Sequence, residues 1–119
     1  MKNVIEVALA LLIQTLEGAI HAIKGKIQDI TYELSDIENL QATIESDITL
    51  AKYELELLST TPKAWMLISS YISSSELDLE KLEEESEILK KKLVGLKREL
   101  RKKEEEMVDA SIELAKIKK

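Results

Sequence analysis

The chain has no cysteine, no phenylalanine, one proline and three glycines in 119 residues. Without cysteine there is neither a disulfide nor a thiolate metal site, which is compatible with a reducing compartment and makes the cytoplasm the default expectation. Aromatic residues make up 3% of the chain against 34% charged, so a broad globular core is out of reach and any core is long and thin. So little glycine and proline removes the punctuation of a loop-rich or β-rich fold. The Leu, Ile, Glu and Lys that dominate instead are the composition of long helices and coiled coils.

Basic charge is not in excess either, since the formal net charge is −6. A phosphate backbone is bound through a basic face, so no nucleic-acid partner is expected. The cations Lys90 to Lys92, Lys97, Arg98 and Arg101 to Lys103 alternate with glutamate and read as a solvated helix face. Long hydrophobic runs are also lacking. Val4 to Ile13 is interrupted by Glu6 and is shorter than the roughly 20 residues that cross a bilayer, so neither a transmembrane helix nor a membrane partner is expected. Lys2 provides the positive start of a secretory signal, but no small-x-small cleavage site follows it.

What is present is a heptad pattern. From Leu9 the series Leu9, Ile13, Leu16, Ile20, Ile23, Ile27, Ile30, Leu34, Ile37, Gln41, Ile44, Ile48, Ala51, Leu55, Leu58 alternates steps of four and three without a slip. A seam with this mean spacing of 3.5 residues, sustained over many turns, marks a supercoiled helix. Ile13 is taken as position a and Leu16 as position d. A second seam runs through Ile68, Ile72, Ser75, Leu79, Leu82, Ser86, Leu89, Leu93, Leu96, Leu100, Lys103, Met107, Ala110, Leu114 and Ile117. Between the seams, Ser59, Thr60, Thr61 and Pro62 form a breaker. The expected fold is all-α: one domain, residues 1–119, forming a long antiparallel two-helix coiled coil. Its expected boundaries are helix 3–58, connection 59–75 and helix 76–118.

Residues 64–75 admit two readings. Five serines lie among the seven residues 69–75, which is poor helix material. As helix, the segment has Thr61 for an N-cap and Pro62 in the first turn. As a short β-hairpin, Trp65 to Ile68 and Tyr71 to Ser73 flank a Ser69-Ser70 turn, and the helix starts later from a serine capping box. Charge pairing between the helices distinguishes two registers. With the shortest connection, Glu33 meets Lys92 and Lys26 meets Glu99, but Glu17, Lys24, Glu38, Glu45 and Asp47 face like charges. A slide of two heptads turns Glu38 to Lys97, Glu45 to Lys90 and Lys52 to Glu83, and sets Ala51 opposite Ser86. Each exposed pair contributes only about 0.2 to 1 kcal/mol, so the charges give the slid register a modest preference. The slid register calls for the long connection and leaves about the first sixteen residues unpaired.

The stretch from Glu54 through Leu57, Leu58, Pro62, Trp65, Leu67, Ile68 and Tyr71 to Ile72 resembles the middle of a prefoldin β-type subunit. There an acidic, leucine-bearing helix end is followed by a proline-containing link, an aromatic, an apolar step with glycine and a second short strand. Ser69 stands where that family has glycine, and Met66 where it has lysine. The resemblance implies an ATP-independent chaperone subunit whose hairpins assemble into a barrel and whose helix ends hold unfolded polypeptide. On this sequence it makes Trp65, Leu67, Ile68, Tyr71 and Ile72 the oligomerisation residues. Val4, Ile5, Leu9, Leu12, Ile112, Leu114 and Ile117 become the client-binding or partner-binding tip.

A second stripe, Val4, Ala8, Leu11, Thr15, Gly18, Ala22 and Gly25, lies nearly opposite the first seam and would let another helix approach closely. The rival expectation is therefore a structural or adaptor coiled coil that dimerises through this stripe into a four-helix bundle. On either reading the partners are proteins, in a homo- or hetero-oligomer. His21 falls at an outward b position with no acid beside it, and Gln41 and Lys103 are polar residues in the seam that fix register at a cost in stability. There is no glycine-rich phosphate loop, no histidine-carboxylate set and no nucleophile with a candidate base. Neither enzymatic activity nor a cofactor or metal is expected, and Glu83 to Glu85 and Glu104 to Glu106 read as solvated charge.

Overall fold

The computed structural model of the chain describes residues 2–57 and 61–118, with side chains from residue 4 onward. Two α-helices account for nearly all of it: α1, Lys2–Leu57, and α2, Pro62–Lys118. They form the expected antiparallel helical hairpin. Among the described residues there is no strand, so the β-hairpin and the connection over 59–75 give way to a helix that starts at Pro62. Leu58 to Thr60 lie outside the described residues.

Local chemistry explains that start. The Thr61 carbonyl accepts the Trp65 N–H at 3.0 Å, closing the first helical turn on a non-helical Thr61. Pro62 occupies the first helical position, where a missing amide hydrogen costs nothing. The serines then follow because the seam continues through them: Ile72 and Ser75 are buried and Ile68 is half-buried. Packing outweighs a propensity penalty of only a few tenths of a kcal/mol per serine.

The chain divides into two compact units. Unit 1 comprises residues 1–31 and 91–119, and unit 2 comprises residues 32–90. In unit 2 the buried Ile48, Ala51 and Ile72 form one cluster, onto which Ile44, Leu55, Ile68 and Leu79 pack. In unit 1, Leu16, Ile20, Ile23 and Ala110 are buried. All described seam positions in both helices are buried or half-buried, yet no described side chain is completely enclosed. The core is one side chain wide, as composition demands.

Ala51 clustered with Ile72 selects the short-connection register and corrects the slid one. The expected unpaired start of α1 is likewise corrected: Leu9 and Ile13 are half-buried, Leu16 is buried, and Leu9, Leu12 and Leu16 share a groove with Ala110. The reason lies in side-chain direction. Cα–Cβ bonds slant toward the N-terminus of each helix, so long side chains in an antiparallel pair meet partners offset from the Cα level. Lys52 pairs with Glu76 at 3.6 Å, a partner one heptad removed from the one assigned by residue number. Counting pairs at the wrong offset made the short register look repulsive.

Gln41 is half-buried in the seam and donates from Nε2 to Glu83 Oε2 at 3.2 Å. A polar a position favours register over stability. Gln41→Leu is expected to stabilise the hairpin by about 1 kcal/mol, measured as a higher thermal unfolding midpoint with unchanged helix content.

Candidate protein-binding faces

In a two-stranded coiled coil, positions b, c and f point away from the partner helix and normally carry the charge that keeps the rod in water. α2 follows that rule: 12 of its 24 such positions between Lys63 and Lys116 are charged. α1 breaks it. Between Val4 and Leu57 only Asp29, Asp36 and Glu56 are charged among 24 outward positions, all of them exposed. The remaining charges of α1 are concentrated at the e and g positions that flank the seam. A fourfold difference between two helices sharing one core needs a cause other than water.

In unit 1 this face carries Val4, Val7, Ala8 and Leu11, then the small Thr15, Gly18, Ala22 and Gly25. A methyl group added at Gly18 or Gly25 would meet no atom within 4 Å, so the surface above them is open to a close-packed helix. In unit 2 the same positions carry Tyr32, Leu50, Tyr53 and Leu57, between 59% and 63% exposed. The threonines add to the effect. Thr15 donates to the Leu11 carbonyl at 2.9 Å, Thr43 to Asn39 at 3.0 Å and Thr49 to Glu45 at 2.9 Å. Each hydroxyl is thus satisfied within its own helix.

The expected oligomerisation residues separate into two kinds. Ile72 and Ile68 belong to the seam, whereas Trp65, Leu67 and Tyr71 are at least half exposed. Leu67, Ile68 and Tyr71 line one side of a groove of about 440 Å³ whose other side is Asp47, Leu50, Ala51 and Glu54. The expected tip residues separate in the same way. Leu9, Leu114 and Ile117 are half-buried seam residues; Val4, Ile5, Leu12 and Ile112 are exposed. Leu50, Tyr53 and Leu57 were not among the expected site residues, although they occupy the c and f positions that the stripe from Val4 to Gly25 already defines. The signal was the heptad phase, followed too short a distance. His21 is exposed on the same outer face. Lys103 lies half-buried in the seam with its Nζ 3.8 Å from Glu106, so its stem packs and its charge reaches water.

No family model, curated protein or solved structure matches this chain.

Near its N-terminus α1 contains an eighteen-residue window of mean hydropathy 1.5, of which 11% is buried, long and apolar enough by composition to cross a membrane. The beginning of α1 also supplies Leu16, Ile20 and Ile23, which are buried in the hairpin seam. Among the described residues no group of three or more His, Cys, Asp or Glu is arranged to hold a metal.

Proposed function

We propose that this chain is a non-enzymatic protein-binding coiled coil, a structural or adaptor module that receives a helix of a protein partner along the outer face of α1. The observation that carries this reading is the contrast between three charged outward positions on α1 and twelve on α2. An isolated hairpin gains nothing from an uncharged outer face. A third or fourth helix laid on it buries apolar area at about 25 cal/mol per Å² and converts a two-helix layer into a bundle. The hydropathy of the first turns is read as protein-facing, because Leu16, Ile20 and Ile23 already face protein.

A photo-crosslinking side chain placed singly at Leu11, Leu50, Lys91 and Lys102 tests this reading in cells. Discrete protein adducts are expected from Leu11 and Leu50 and not from Lys91 or Lys102. Adducts that form equally from both helices, or from neither, contradict it.

The second reading is the prefoldin-like, ATP-independent holdase. Its support is the exposed group Val4, Ile5, Leu12 and Ile112 in unit 1, with Val4 73% exposed. The strand segment on which the family resemblance rested is helical, so this reading stands on those apolar side chains. It predicts that the purified protein slows aggregation of a denatured client without ATP, and that Val4→Ser with Ile5→Ser removes most of the protection. No protection at a tenfold molar excess argues against it.

A further inference from the structure

We infer that the occupant of the α1 outer face is a second copy of this chain, with the two α1 helices running in opposite directions. The inference rests on the protein-binding reading above and adds the identity and polarity of the partner.

Polarity comes from charge. Unit 1 contains thirteen Lys and Arg against nine Asp and Glu, a balance of +4; unit 2 contains four against fourteen, a balance of −10. The modest net charge of the chain thus conceals two units of opposite sign. Two copies aligned in the same direction would set one strongly acidic unit against another. Reversed, the neutral first half of each α1 (three Lys against three Asp and Glu in residues 1–31) lies against the acidic second half of the other (one Lys against seven in residues 32–57), which relieves the like-charge clash.

Shape agrees with charge. In opposed α1 helices, c positions of one copy meet f positions of the other. Pairing Val4 with Leu57, Ala8 with Tyr53 and Leu11 with Leu50 leaves Gly18 facing Thr43 and Ala22 facing Asn39. Large then meets large where Val4 faces Leu57 and Leu11 faces Leu50, and small meets small where Gly18 faces Thr43 and Ala22 faces Asn39. Ala8 leaves room for the Tyr53 ring, and Asp29 and Asp36 lie near the centre opposite Tyr32 and Gly25. The sixteen c and f residues per copy, with the eight b residues at their margin, come to 24 a side, within the roughly 20 to 30 residues of a standard stable interface. The face is self-complementary, as a two-fold interface must be.

The absence of cysteine makes the test clean. Sedimentation of the full chain is expected to give a dimer. Spin labels on Gln14→Cys and on Ser35→Cys, both beside the face, then report direction. In the opposed arrangement the two Ser35 labels lie within about 25 Å, whereas the Gln14 labels are separated by about 50 Å, given 1.5 Å of rise per residue. Leu11→Glu and Leu50→Glu are each expected to weaken dimerisation at least about tenfold, since a buried unpaired charge is costly, with circular dichroism unchanged because both residues are exposed and neither belongs to the seam. A short distance at Gln14, or a monomer at every concentration, overturns the proposal. A monomer that still forms photo-adducts from Leu11 and Leu50 leaves the protein-binding reading intact with a different partner, and loss of both removes both.

Discussion

Ile48→Ala is expected to cost about 2 to 4 kcal/mol of hairpin stability, the usual range for truncating a buried aliphatic side chain. Leu50→Ala, two residues along the same helix, is expected to cost less than about 0.5 kcal/mol in the monomer. The contrast follows from position. Ile48 is 7% exposed and clusters with Ala51 and Ile72 across the hairpin, while Leu50 is 59% exposed at the rim of the groove it shares with Leu67 and Tyr71. A core one side chain wide has no second layer to collapse into the gap, so the cost at Ile48 belongs at the upper end of the range. Denaturant titrations of the two variants measure it. Equal costs would mean that the seam is not where the heptads put it.

Ser70→Pro is expected to remove about 3 kcal/mol or more, because a proline in a helix interior loses a backbone hydrogen bond and its ring clashes with the preceding turn. Ser70 lies eight residues into α2, where the ladder is complete. Were residues 64–75 a β-hairpin, Ser70 would carry no helical hydrogen bond to break, and no loss of helix content would follow from the proline. A variant with wild-type stability and helix content would restore the strand reading of residues 64–75.

The two helices and their seam residues were legible because the heptad phase never slips, and phase is a property of many residues together. Residues 64–75 were harder, since local preference and long-range pattern disagree there. Serine propensity pointed to a turn, while Ile68, Ile72 and Ser75 kept the helical phase, and burial decided in favour of the phase. Register was misread for a different reason. Exposed ion pairs contribute so little that an error of one heptad in their offset, as at Lys52 and Glu76, reverses the apparent preference. The outer face was half legible. Gly18 and Gly25 drew attention as small residues, but the more informative property, the near-absence of charge from Val4 to Leu57, appears only when α1 is compared with α2 in the same heptad frame.

The hairpin register underlies both the core and the outer face, and one pair of double variants tests it directly. Ala51→Cys with Ile72→Cys places two thiols in one core cluster, whereas Ala51→Cys with Ser86→Cys places them together only in the slid register. Under mild oxidation at high dilution the first variant is expected to close an intramolecular disulfide and the second to remain reduced. Closure of the second in preference to the first would contradict the account.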